Sequence, residues 1–222
     1  MQVKICGMTR PEDIRAAVEL GVDALGFVMY QESPRYVSPD RVRLMTEIIP
    51  SRVVTVGVFV NEDPRRVIEI ADYCRLDMLQ LHGDEPPEYA AGLPVSMVIK
   101  AFNPRGKEDI DQVLTYPAAA VLVDARDRGL YGGTGETSNW EAARLIGLSR
   151  PLVLAGGIGE DNIDEALSCV SPAAVDVNSS VERAPGIKDN EKMARVLKRV
   201  RVWEHKTSNK MRGPFVKRNG DP

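Results

Sequence analysis

The sequence predicts an α/β chain folded as a single (β/α)8 (TIM) barrel, and three observations carry that expectation. Eight short β-branched runs recur along its 222 residues. Segments with apolar residues at helical spacing lie between most of them. Each connection is long enough for a crossover, which implies parallel pairing. An open doubly wound sheet is the competing architecture, but no GxGxxG follows the first run, which weakens its dinucleotide-binding version. Eight units in about 200 residues match the lower end of the barrel's size range.

The first run, VKIC from Val3, is followed by RPEDIRAAVELG, with Pro11 in its first turn, Glu12 and Asp13 beside it and Gly21 as the stop. ALGFVMY from Ala24 precedes SPDRVRLMTEI, and VVTVGVFV from Val53 precedes DPRRVIEIADYC; both segments repeat that design. MLQLH from Met78 is the fourth run and leads to the shorter EPPEYAAGL. SMVIKAF from Ser96 and AVLVDA from Ala120 come next. LVLAGG from Leu152 is followed by GEDNIDEALSCV, and AVDVNS from Ala174 is the eighth run. DNEKMARVLKRV closes the series, so the catalytic barrel domain is expected to span residues 1–204. Residues 205–222 are polar and basic without periodicity and are expected to form a disordered tail.

Composition sets the class. Hydrophobic residues make up 43% and charged residues 27%, ordinary values for a globular protein. A net charge of −3 gives no reason to expect nucleic acid or an acidic membrane as main partner. No apolar run approaches the ~18 residues of a membrane span. The N-terminus lacks a basic region followed by an apolar one, and a cytoplasmic location is expected. Cys6, Cys74 and Cys169 are odd in number and widely spaced, which suggests neither disulfides nor a metal site. Cys74 and Cys169 read as small buried apolar residues of helices.

Strand side chains alternate between the helix layer and the barrel axis. Val3, Ile5, Leu79, Leu81, Val121, Val123, Val175 and Val177 suit the helix layer. The opposite phase turns Lys4 and Cys6 inward on the first strand, Gln80 and His82 on the fourth, Asp124 on the sixth, and Asp176 and Asn178 on the eighth. Cys6, His82, Asp124 and Asn178 thus collect at the C-terminal ends of their strands, where barrels build active sites. One layer deeper, Lys4 and Asp176 sit on strands that become neighbours when the barrel closes, so a buried ion pair is expected. Its positive charge beneath Cys6 is expected to favour the thiolate.

Loops complete the site. LAGGIGEDN runs from a strand through Gly156 and Gly157 into a helix start, an arrangement suited to anions. NSSVE, with Asn178, Ser179 and Ser180, follows the next strand, and loops in these two places favour phosphate. LYGGTGETSNW, residues 130–140, is long and glycine-rich and suits closure over a ligand. ESPRYVSPD holds Arg35 between prolines at the mouth, suited to a carboxylate, though such an arginine also serves surface ion pairs. His82 reads either as a packing residue or as a substrate contact. Gly7 is explained equally by turn geometry and by room for a ligand.

Taken together, KICGMT, SPRYV, VGVFVN, LQLHG, VLVDA, GGTG, LAGGI, VDVNSSVE and PGIKD resemble the phosphoribosylanthranilate isomerase family of tryptophan biosynthesis over about residues 2–200. The resemblance implies an Amadori rearrangement of N-(5-phosphoribosyl)anthranilate to 1-(o-carboxyphenylamino)-1-deoxyribulose 5-phosphate, without cofactor or metal. It implies Cys6 as general base, Asp124 as general acid and Arg35 as the holder of the anthranilate carboxylate. The glycines of AGGI and the serines of NSS would cradle the phosphate. Three positions depart from the family: Ser180 stands where glycine is usual, and Ser138 and Asn139 replace its aromatic-plus-acid ending. A related dual-substrate isomerase carries aspartate in place of Cys6, which argues for the single substrate. A barrel that only binds a phosphorylated ligand is the alternative from another class. Monomer and homodimer are both compatible with the sequence.

Overall fold

The computed structural model describes residues 1–104, 107–124, 140–207 and 213–218. Eight strands close into a parallel barrel: β1 (Gln2–Ile5), β2 (Ala24–Val28), β3 (Val54–Phe59), β4 (Met78–Leu81), β5 (Val98–Phe102), β6 (Ala120–Asp124), β7 (Leu152–Ala155) and β8 (Ala174–Val177). Closure is the pairing of β1 with β8, in register Lys4 opposite Asp176. The open-sheet alternative is thereby excluded, because β1 pairs with both β2 and β8.

The helices begin where prolines and caps direct. α1 (Pro11–Glu19), α2 (Pro39–Thr46) and α3 (Pro64–Cys74) each carry proline in the first turn, where its missing N–H costs nothing. Asp63 caps α3 through the amides of Arg65 and Arg66. α4 (Pro87–Ala90) is a single turn. α5 (Lys107–Thr115) and α6 (Trp140–Gly147) fill two intervals to which the sequence reading assigned no helical segment. α7 (Ile163–Val170) and α8 (Asn190–Thr207) complete the ring. Arg201 of α8 binds the Met1 carbonyl at 2.7 Å and Asp23 at 2.9 Å, fastening the last helix to the first strand. The glycine-rich loop at 130–139, with Ser138 and Asn139, lies outside the described residues.

Two cores result from strand alternation. Val3, Ile5, Leu79, Leu81, Val121, Val123, Val175 and Val177 all pack in the layer between sheet and helices, as the phase predicts. The axis holds a separate, less extensive cluster of side chains, among them Ala24, Val56, Met78, Ile99, Leu122 and Val153. Cys74 is buried as expected, whereas Cys169, near the end of α7, is exposed. That correction follows from helical phase: the buried residues of α7 are Ile163, Ala166, Leu167 and Val170, and position 169 falls off their stripe.

The C-terminal end also departs from expectation. α8 runs through the proposed boundary at 204 to Thr207, and residues 213–218 pack across the barrel floor. Phe215 is 3% exposed and belongs to the axial core. Its backbone N–H and carbonyl pair with the Gln2 side chain at 2.7 and 2.9 Å. Lys217 donates to the buried Asp77 carboxylate at 2.6 Å and to the Val53 carbonyl at 3.1 Å. A single aromatic among polar residues has no periodicity, so the pattern that reveals helices and strands could not reveal this strap. Phe215→Ala, or truncation after Thr207, is expected to lower the unfolding free energy by about 3 kcal/mol and to leave kcat unchanged. Urea denaturation followed by circular dichroism checks it; unaltered stability would mean that the strap contributes nothing.

Candidate active site

A cavity of about 260 Å³ opens at the C-terminal ends of the strands. Cys6, Arg35, His82 and Asp124 line it from the strand ends and the β2–α2 loop. Gly156 and Gly157 line it after β7, and Asn178, Ser179 and Ser180 after β8. Every site residue expected from the sequence therefore faces one space.

Beneath it lies the ion pair that the sequence predicts: Lys4 Nζ meets Asp176 Oδ2 at 2.7 Å, with the lysine side chain 0% and the aspartate 7% exposed. Burial opposes the charge on Lys4, but Asp176 and Cys6 favour it and the net direction of its pKa is upward. Gly26 makes this possible, since a Cβ there would stand 2.8 Å from Cys6 Sγ and 3.0 Å from Lys4 Nζ. The thiol behaves differently from expectation. Burial pushes Cys6 above its ordinary 9.0; Lys4 pulls it down, yet Asp176 pushes the same way as burial and the net direction is up. The expected thiolate-favouring effect of Lys4 is real but outweighed, because Asp176 offsets much of its charge.

Asp124, 26% exposed, faces His82, whose Nε2 lies 3.3 Å from its Oδ2. His82 Nδ1 lies 2.9 Å from Gln80 Nε2. With that amide nitrogen donating, the neutral imidazole carries its proton on Nε2 and donates it to Asp124. His82 lines the cavity and is also tied to the carboxylate, with Gln80 behind it.

The glycine after the thiol is explained by a side chain. Gly7 has φ +72°, and a Cβ there would meet Arg35 Cδ at 2.7 Å and Asn178 Oδ1 at 2.8 Å. Arg35 crosses over it, so both the turn and close packing require glycine. Past β7, Gly156 and Gly157 also take positive φ, 84° and 67°. The Ser180 hydroxyl donates to the Ile158 carbonyl at 2.5 Å, tying the two loops together.

Sequence reasoning missed a hairpin. β9 (Glu182–Ala184) and β10 (Ile187–Lys188) pair antiparallel with Glu182 opposite Lys188. Glu182 binds Arg35 through Nε at 2.9 Å and Nη2 at 2.6 Å, and accepts from Lys188 Nζ at 2.9 Å. Burial pushes Glu182 up, but Arg35 and Lys188 together hold it below its usual range. Burial lowers Lys188 in spite of Glu182. The signal was present as VERAPGIK, two short runs flanking the turn residues Pro185–Gly186, with Glu182 in the first and Lys188 in the second. Among the described residues no cluster of three or more His, Cys, Asp or Glu side chains could hold a metal.

A thiol and a carboxyl on non-adjacent strands, above a buried ion pair and beside glycine-rich loops, define a (β/α)8 barrel enzyme of the acid–base isomerase type. Comparison with known proteins is specific. The family model described as N-(5'phosphoribosyl)anthranilate (PRA) isomerase matches residues 3–199. An N-(5'-phosphoribosyl)anthranilate isomerase from Syntrophus aciditrophicus (strain SB) is 48% identical over 203 residues, 91% of this chain and 88% of that protein. A crystal structure of phosphoribosyl anthranilate isomerase from Thermotoga maritima superposes with TM-score 0.83 at 39% identity, covering 91% of this chain and 99% of that one. Another, a complex with reduced 1-(o-carboxyphenylamino)-1-deoxyribulose 5-phosphate, gives 0.80 at 37% identity, covering 91% and 99%. The chain belongs to the phosphoribosylanthranilate isomerase family. The match ends at residue 199, ahead of the strap that closes the barrel floor.

Removing one partner of the axial pair leaves the other buried and uncompensated. Lys4→Met is expected to cost about 3–5 kcal/mol of stability, and Lys4→Met with Asp176→Leu to recover most of it. Urea titration of the two variants decides; a single variant as stable as the double one would contradict the pair's role.

Proposed function

We propose that this chain performs its family's isomerisation with Cys6 as general base and Asp124 as general acid. The family's reaction, conversion of N-(5-phosphoribosyl)anthranilate to 1-(o-carboxyphenylamino)-1-deoxyribulose 5-phosphate in tryptophan biosynthesis, is the activity of this chain. The observation that carries the residue assignment is that Cys6 and Asp124 line one cavity from β1 and β6, strands separated by two others around the barrel on one side and four on the other.

Protonation of the furanose ring oxygen by Asp124 breaks the bond from C1 to that oxygen and leaves an iminium between C1 and the anthranilate nitrogen. The iminium acidifies the proton on C2, which Cys6 removes as thiolate; the electron pair moves into a C1–C2 double bond as the nitrogen becomes an enamine. Protonation at C1 and loss of the hydroxyl proton at C2 give the ketone, so protons balance and nothing is oxidised overall. His82 supports the assignment of Asp124 by fixing its orientation through the 3.3 Å contact.

Arg35 suits the anthranilate carboxylate, and the loops at Gly156, Gly157, Asn178, Ser179 and Ser180 suit the phosphate, since all line the same cavity. The glycines there leave the backbone accessible to a phosphate, and the Ser180–Ile158 bond holds the two loops as one surface. A cytoplasmic location belongs to the same proposal and is supported by three free cysteines, which suit a reducing compartment.

Cys6→Ser and Asp124→Asn are each expected to lower kcat/KM about 100- to 10,000-fold with unchanged melting temperature. The assay follows consumption of freshly prepared substrate by its fluorescence, and undiminished activity in either variant would remove that residue from the mechanism. The base must be deprotonated, and burial raises its pKa above the ordinary thiol value. Below that value the thiolate fraction grows about tenfold per pH unit. Thiolate formation at Cys6, read as the ultraviolet difference between wild type and Cys6→Ser on raising the pH, should therefore begin above the range of an ordinary cysteine; a thiolate already present at neutral pH would contradict it.

A further inference from the structure

Glu182 and Lys188 take no part in the proton transfers, yet both are buried, 7% and 2% exposed, beside the cavity's arginine. A guanidinium presents five N–H donors in a fixed fork. Glu182 occupies the side edge, made of Nε and one Nη2 hydrogen, at 2.9 and 2.6 Å. Among the described residues Nη1 has no hydrogen-bond partner, so the end edge formed by Nη1 and the second Nη2 hydrogen stays open to a carboxylate.

An acid in that place would by itself cancel the charge of Arg35 and repel an incoming carboxylate. Lys188 counters this, because its Nζ stands 2.9 Å from Glu182 Oε1 and makes the group two cations to one anion. The lysine is anchored in turn by Asn178 Oδ1 at 3.0 Å, and the Gly186 amide donates to the same Glu182 oxygen at 3.1 Å. Asn178 Oδ1 and Arg35 Cδ both crowd the space over Gly7. The hairpin β9–β10 thus holds one orientation of the guanidinium from below.

We infer that Glu182 and Lys188 are positioning residues that make Arg35 a reader of carboxylates: Glu182 aims the open fork into the cavity, and Lys188 keeps the group cationic. The inference rests on the reading of Arg35 as the carboxylate holder. It concerns selectivity between ligands, a property that mere support of the fold would not provide.

Two probes separate these roles by calorimetric titration: reduced 1-(o-carboxyphenylamino)-1-deoxyribulose 5-phosphate and its phenylamino counterpart without the carboxylate. Wild type should prefer the first. Glu182→Gln and Lys188→Met should each cut that preference about tenfold and leave affinity for the second probe within about twofold; Lys188→Arg should restore it. Arg35→Ala should abolish the preference. If Arg35→Ala abolishes it while Glu182→Gln and Lys188→Met keep it, or lose both probes equally, the inference is overturned and the reading of Arg35 stands. A preference that survives Arg35→Ala overturns that reading itself. Should Glu182→Gln or Lys188→Met not fold, Glu182→Asp, which withdraws the carboxylate by one methylene, decides the matter: preference at the wild-type level overturns the inference.

Discussion

The closure of β1 onto β8 is the constraint on which the rest of the molecule depends. It sets Lys4 opposite Asp176 inside the barrel, and their 2.7 Å contact is a charge pair with almost no access to water. Two buried charges are tolerable there only because each is the other's partner. Room for the pair comes from Gly26 on the neighbouring strand, where any side chain would strike Lys4 and Cys6. The pair is also the ground on which the thiol stands, and it affects that thiol in two directions at once. Lys4 draws the pKa down, Asp176 raises it, and burial tips the balance upward.

Above that pair the site is built in counterbalanced sets. Asp124 is held by His82, and His82 by Gln80. Arg35 is held by Glu182, and Glu182 by Lys188. Each functional group is fixed by a neighbour whose own freedom is already removed, which is how a barrel with flexible-looking loops can present a defined geometry. The opposite end follows the same logic with different material. Phe215 fills the floor of the axial core, and Gln2 satisfies its backbone on both sides. Function and closure therefore lie at opposite ends of one stack of side chains.

What was legible in the sequence follows a physical rule. Alternation with period two could be counted, so the inward phase placed Lys4, Cys6, His82, Asp124, Asp176 and Asn178 correctly. Ionic pairing across β1 and β8 followed from counting eight strands and closing them. Proline and acidic helix starts marked α1, α2 and α3 because those residues answer to local backbone chemistry. By contrast, the sign of the Cys6 shift rested on burial set against neighbouring charges of both signs, and a sequence supplies no burial with which to weigh them.

The hairpin and the strap escaped for another reason. Glu182 and Lys188 act on Arg35 across 147 and 153 positions of chain, and nothing local records that meeting. Phe215 reaches Gln2 across 213 positions, from a stretch whose composition alone suggests solvent. The sequence by itself determined the strand count, the parallel order, the inward side chains and, through its motifs, the family. Tertiary structure decided which charges meet, whether the thiol's proton is held or released, and what closes the floor. Periodicity is written along the chain, whereas burial and charge pairing exist only after distant segments are brought together.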